Sequence, residues 1–219
     1  MKKILCMRLA LVMILSLVPA AFAETAAKEG DVKASDMIGT LEGKRYENKA
    51  LGIQAEIPET WEVFSPEEAT RLMYEGFDLL EADSDWLARM LEENESIFDL
   101  YTAAMDNSGD NINIQVQKSS FNLLQKAVLT EEKLIEASME EVEKSLKDSG
   151  LMEDVKLEMG SCEFAGKTHA CLSVSGTMYG VPVYERMVML LKGDYMGVVT
   201  GFSLDEEALA KNFAMFTAA

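Results

Sequence analysis

From Val155 to Ser203 the chain is a succession of apolar runs cut by short turn formers, and this stretch constrains the fold more than any other. Val155, Leu157 and Met159 open it, "SCEFAGKTHAC" turns it, and Leu172 and Val174 carry it on. "YG" at 179–180 leads into "VPVYERMVMLLK", and "GD" at 193–194 into "YMGVVTGFS". Strand-length runs joined by two-residue turns pair antiparallel with their neighbours, because a parallel partner needs a crossover of a dozen or more residues. The spacing therefore predicts a meander of four antiparallel strands.

The segments before it mix both periods. Ile53, Ala55 and Ile57 alternate with Gln54 and Glu56 as in a half-buried strand, Pro58 ends it, and 61–64 makes a second extended piece. Ser65, Pro66 and Glu68 form a helix start with a capping box, and Ala69, Leu72, Met73, Gly76, Phe77 and Leu80 share one stripe. A short helix is expected over 84–93. A hairpin follows, with Ile112, Ile114 and Val116 alternating with Asn113, Gln115 and Gln117 after the turn cluster "DNSGDN". Thr130 caps a long helix to Ser149, and Ser203 with Glu206 is read as the capping box of a last one carrying Leu209, Phe213 and Phe216. Strands and helices segregated in this order predict an α+β chain, an α/β/α sandwich around a mostly antiparallel sheet.

The N-terminus sets the compartment. Lys2, Lys3 and Arg8 precede an apolar run, and Ala21 and Ala23 give the small-x-small pattern of signal-peptide cleavage, placed between Ala23 and Glu24. Residues 1–23 are read as a signal peptide, 24–43 as a flexible leader, and 44–219 as one domain, ordered from about Tyr46. The expected location is outside the cell or in the envelope space of a bacterium, without stable membrane insertion after cleavage. Taking Lys2, Lys3 and Arg8 from 20 basic residues, against 38 acidic ones, leaves a formal charge of −21. That surface repels polyanions, so nucleic acid is not an expected partner.

"GIQAEIPETW", with Gly52, Ile53, Pro58 and Trp61, followed by a helix, a hairpin, a long helix and a terminal meander, resembles the PsbP-like fold over about residues 45–216. The resemblance implies an exported binding or assembly domain and no particular ligand. The partner expected is an extracellular protein or a small ligand, neither identified by the residues.

Candidate chemistry is thin. The single histidine, His169, leaves no Ser-His-Asp or Cys-His constellation, so no catalytic residue is assigned. Paired carboxylates of a secreted hydrolase remain an alternative, since they need no histidine. "DNSGDN" lacks glycine and glutamate at the positions a calcium loop requires and reads as a hairpin loop with Gly109 at positive φ. No metal ligand and no cofactor is assigned. Met187 and Met189 fall on one strand face and are expected to fill the core, with an apolar-ligand carrier as a further alternative. Cys162 and Cys171 are expected to form a disulfide. A turn at Gly166–Lys167 sets them directly opposite; the competing turn, Ala165–Gly166, sets Cys162 opposite His169.

Overall fold

The computed structural model describes residues 34–79, 96–106, 108–118, 129–149 and 152–219. The expected signal peptide, its cleavage point at Ala23–Glu24 and the expected helix over 84–93 lie outside the described residues. Two antiparallel sheets organise the rest. The larger has seven strands in the order β4-β5-β6-β10-β9-β8-β7. These are β4 (Trp61–Phe64), β5 (Ile97–Ala104), β6 (Asn111–Lys118), β7 (Glu153–Phe164), β8 (Lys167–Met178), β9 (Val181–Lys192) and β10 (Tyr195–Ser203). The smaller joins β1 (Thr40–Glu42), β2 (Arg45–Asn48), β3 (Ile53–Glu56) and β11 (Phe216–Ala218).

The predicted meander is β7 to β10, closed by three two-residue turns. Ala165 and Gly166 both have positive φ, as do Tyr179 and Gly180, which is the type I′ geometry matched to strand twist. Gly193 supplies positive φ in the third.

Among the described residues, two helices cover one face of the large sheet. α1 (Pro66–Leu79) starts at the expected capping box: the Ser65 amide donates to Glu68 Oε2 at 2.9 Å and the Glu68 amide to Ser65 Oγ at 3.2 Å. α2 (Glu131–Ser149) is capped by Thr130, whose Oγ1 accepts from the Lys133 amide. α1 packs on β4 and β5 and α2 on β7, β8 and β9, burying Leu72, Met73, Leu134, Ile135, Val142 and Leu146. Met187 and Met189 are fully buried in this core, as their alternation predicted.

The small sheet covers the other face together with α3 (Glu206–Ala214). The N-cap of α3 is Asp205, which accepts from the Ala208 amide, and not Ser203. Ser203 is the last residue of β10; its hydroxyl donates to Asp110 Oδ1 at 2.6 Å and accepts from the Asp205 amide. α3 lies close because β10 carries Gly201 there: a Cβ at that position would stand 2.5 Å from the Phe213 ring.

Structure also begins inside the stretch read as leader. A short 3-10 turn at Ala34–Met37 precedes β1, and Asp99 holds both in place. Its carboxylate accepts from the Gly39 amide at 2.7 Å, the Tyr46 hydroxyl at 2.6 Å and Asn48 Nδ2 at 2.6 Å. Asp99 sits where β5 bulges between Phe98 and Leu100, which turns its side chain toward the small sheet. Among the described residues, no helix is long and apolar enough to cross a membrane.

Candidate functional site

The cysteine hairpin is where the sequence promised most chemistry, and its register differs from the favoured reading. The turn is Ala165–Gly166, so Cys162 stands opposite His169 and Cys171 opposite Gly160. An alanine at positive φ is strained by about 1 kcal/mol. The neighbouring Phe164 offsets that cost: it is 1 % exposed and packs at 5.7 Å from the Phe213 ring and 5.1 Å from the Phe216 ring. Sliding to the other turn would pull Phe164 out of that cluster.

Both cysteines are thiols in the structure, placed diagonally on one face of the ladder and hydrogen-bonded to each other. The bond from Cys162 lowers the Cys171 thiol to about 7, with nearby Arg186 acting in the same direction, and it raises that of Cys162. His169 faces the start of α2. Its Nδ1 meets Glu131 Oε1 at 2.9 Å, and Glu131 Oε2 also accepts from the Ala170 amide at 3.2 Å, so the pair ties the start of α2 to β8. In "DNSGDN", Gly109 takes positive φ as read, and the polar groups close on the loop itself and on Ser203. Among the described residues there is no cluster of three His, Cys, Asp or Glu side chains able to hold a metal.

The unusual chemistry lies instead on β6. Every residue from Asn111 to Gln117 is buried. Ile112, Ile114 and Val116 face the small sheet, so Asn111, Asn113, Gln115 and Gln117 face the helix layer. β6 and β10 run between the strands on which α1 and α2 pack. Across the sheet the amides meet Tyr101 on β5 and Thr200 on β10, both level with Asn113, and Phe98 and Val198, both level with Gln115.

Their hydrogen bonding is incomplete. Among the described residues, neither amide atom of Asn113 nor of Gln117 has a partner, and Asn111 Oδ1 has none, although Asn111 Nδ2 donates to the Gly109 carbonyl at 3.1 Å. Gln115 Oε1 accepts from Ser96 at 3.4 Å. A buried amide without partners costs about 1–3 kcal/mol, and folded domains carry few of them.

Glu185 extends the same surface. It lies on β9, level with Phe202, which is in turn level with Asn111. It shares the helix-side face with Val183 and Met187, is 1 % exposed, and neither carboxylate oxygen has a partner among the described residues. Burial pushes its pKa up to about 8, so it is largely protonated at neutral pH and offers a donor as well as an acceptor.

Beside the Gln115 end, a cleft of about 460 Å³ opens between α1 and the start of β5, lined by Thr70, Arg71, Tyr74, Ser96, Ile97 and Phe98. Asp99, a half-buried carboxyl group whose pKa is also raised by desolvation, lies on the opposite face with its three donors. The sheet thus lies between Glu185 and Asp99.

A seven-stranded antiparallel sheet with helices on one face and a small sheet plus one helix on the other makes this an α+β protein. No protein-family model matches the chain, and no curated protein matches its sequence. Among solved structures it is similar to the cyanobacterial PsbP (CyanoP) of Synechocystis sp. PCC 6803, at 10 % identity and a TM-score of 0.43, over 89 % of this chain and 98 % of that one. It is also similar to LpqN, a protein involved in cell envelope biogenesis of Mycobacterium tuberculosis, at 12 % identity and a TM-score of 0.34, over 75 % of this chain and 82 % of that one. These are likenesses of fold, and neither carries a ligand, partner or activity over to this chain.

Proposed function

We propose that the chain is an exported, non-enzymatic binding domain that holds a small, neutral, polar ligand against the β6 amides. The observation that carries this is the pair Asn113 and Gln117, buried and, among the described residues, with both donor and acceptor atoms unpartnered. Amides presented in this way complement a molecule that carries its own amide or hydroxyl groups, because each side chain both donates and accepts. Protonated Glu185 adds no charge at neutral pH, which favours an uncharged ligand. Tyr101 beside Asn113 and Phe98 beside Gln115 supply apolar walls, and the adjoining cleft has the size of an ordinary ligand site.

The test is recovery of the ligand. The chain is purified without denaturation from its own culture, unfolded, and the released small molecules compared by mass spectrometry with those from Asn113→Leu/Gln117→Met. A neutral polar compound near one per chain, absent from the double variant, is the expected result. Equal recovery from both proteins, or no compound from either, contradicts the proposal.

A further inference from the structure

The edge of the large sheet at β7 is long and open. β7 runs from Glu153 to Phe164, pairs among the described residues only with β8, and is mostly exposed. Such an edge offers unpaired backbone groups to another strand, and chains commonly block it with charge. The charges here are arranged differently, and we propose that β7 pairs antiparallel with β7 of a second copy, about a two-fold axis through Leu157.

The register follows from the hairpin. Phe164 and Lys167 close a two-residue turn and form a hydrogen-bonded pair, and the alternation continues back along the unbroken ladder to Lys156. Leu157, Met159, Ser161 and Glu163 are therefore the residues whose backbone groups point away from β8. Only such residues can sit hydrogen-bonded across the axis. Centring on Leu157 places Lys156 opposite the partner's Glu158, and Glu158 opposite the partner's Lys156, at the close, non-hydrogen-bonded positions. On the other face Val155 meets the partner's Met159, covering a methionine that is 48 % exposed.

Neighbouring registers lose this match. An axis at Glu158 sets glutamate against glutamate, and one at Lys156 sets lysine against lysine. Neither Lys156 nor Glu158 has an ion-pair partner among the described residues, and both are exposed. A symmetric pairing uses one patch twice, so a Lys-x-Glu doublet about an outward-facing residue satisfies both charges at once. The ladder ends where β7 bulges between Glu153 and Lys156, with Asp154 at positive φ. The interface is accordingly short and the dimer reversible.

Sedimentation velocity over a concentration series tests this with a charge swap. Wild type is expected to pass from monomer to dimer. Lys156→Glu alone and Glu158→Lys alone each set like charges opposite, and each is expected to weaken association by about tenfold or more. The double variant, Lys156→Glu with Glu158→Lys, restores opposite charges in this register and is expected to regain the wild-type constant. A monomer at every concentration overturns the proposal. So does a dimer indifferent to the single changes, or a double variant as weak as the singles. Far-ultraviolet circular dichroism of each variant separates loss of pairing from loss of fold.

Discussion

Glu185 makes the stability of the domain pH-dependent in a predictable direction. Its folded pKa, about 8, lies above the ordinary value of 4.5, so the folded state holds the proton more tightly than the unfolded chain. The contribution is fully present below pH ~4.5, falls by about 1.4 kcal/mol per pH unit up to about 8, and is flat beyond. Urea titrations across that window are expected to show the slope in wild type and a shallower one in Glu185→Gln. Parallel slopes would mean that Glu185 is not buried uncharged. The cysteines give a second prediction at this scale. Diagonal positions on an antiparallel pair lie about 7–8 Å apart, at or beyond the reach of a relaxed disulfide, although these two thiols are hydrogen-bonded to each other. In exported protein the Cys162–Cys171 bridge is expected to form under strain and to yield to mild reductant. Peptide mapping without reduction checks it; full alkylation of both thiols would contradict it.

Asp99 is the main polar latch between the two sheets. Replacing it by alanine leaves the Gly39 amide, the Tyr46 hydroxyl and Asn48 Nδ2 without their acceptor, at a cost of about 3 kcal/mol or more. Hydrogen exchange on Asp99→Ala is expected to quicken in β1 and β2 and to leave β8–β10 nearly unchanged; uniform acceleration would argue against a local latch. Elements like the Ser65–Glu68 box were legible because their signals span three residues. The small sheet was not legible, because β11 finds β3 from the far end of the chain, Phe216 opposite Ala55. The same distance hid the cysteine register, which depends on Phe164 meeting Phe213 and Phe216. The leader concealed its order for a similar reason: Gly39 and Asn48 are held by Asp99 some 50–60 residues on.

At the scale of the molecule, the sheet divides two different interiors. One side is closed by apolar packing of the small sheet and α3; the other buries a row of amides between regions packed by α1 and α2. The sequence held a trace of this row. In "NINIQVQK" the residues alternating with Ile112, Ile114 and Val116 are all amides, where a solvated strand face in so acidic a chain would be expected to carry charge. Alternation alone could not show that the polar face is covered, since that depends on elements far along the chain. We propose that the amides serve a ligand and not the fold. Equilibrium denaturation of ligand-free wild type and Asn113→Leu/Gln117→Met tests it most directly. If the amides are held unpaired for a ligand, the apolar variant gains stability, by about 1–3 kcal/mol for each buried group relieved. If instead they belong to a satisfied structural network, the double variant loses a comparable amount, and the account is wrong.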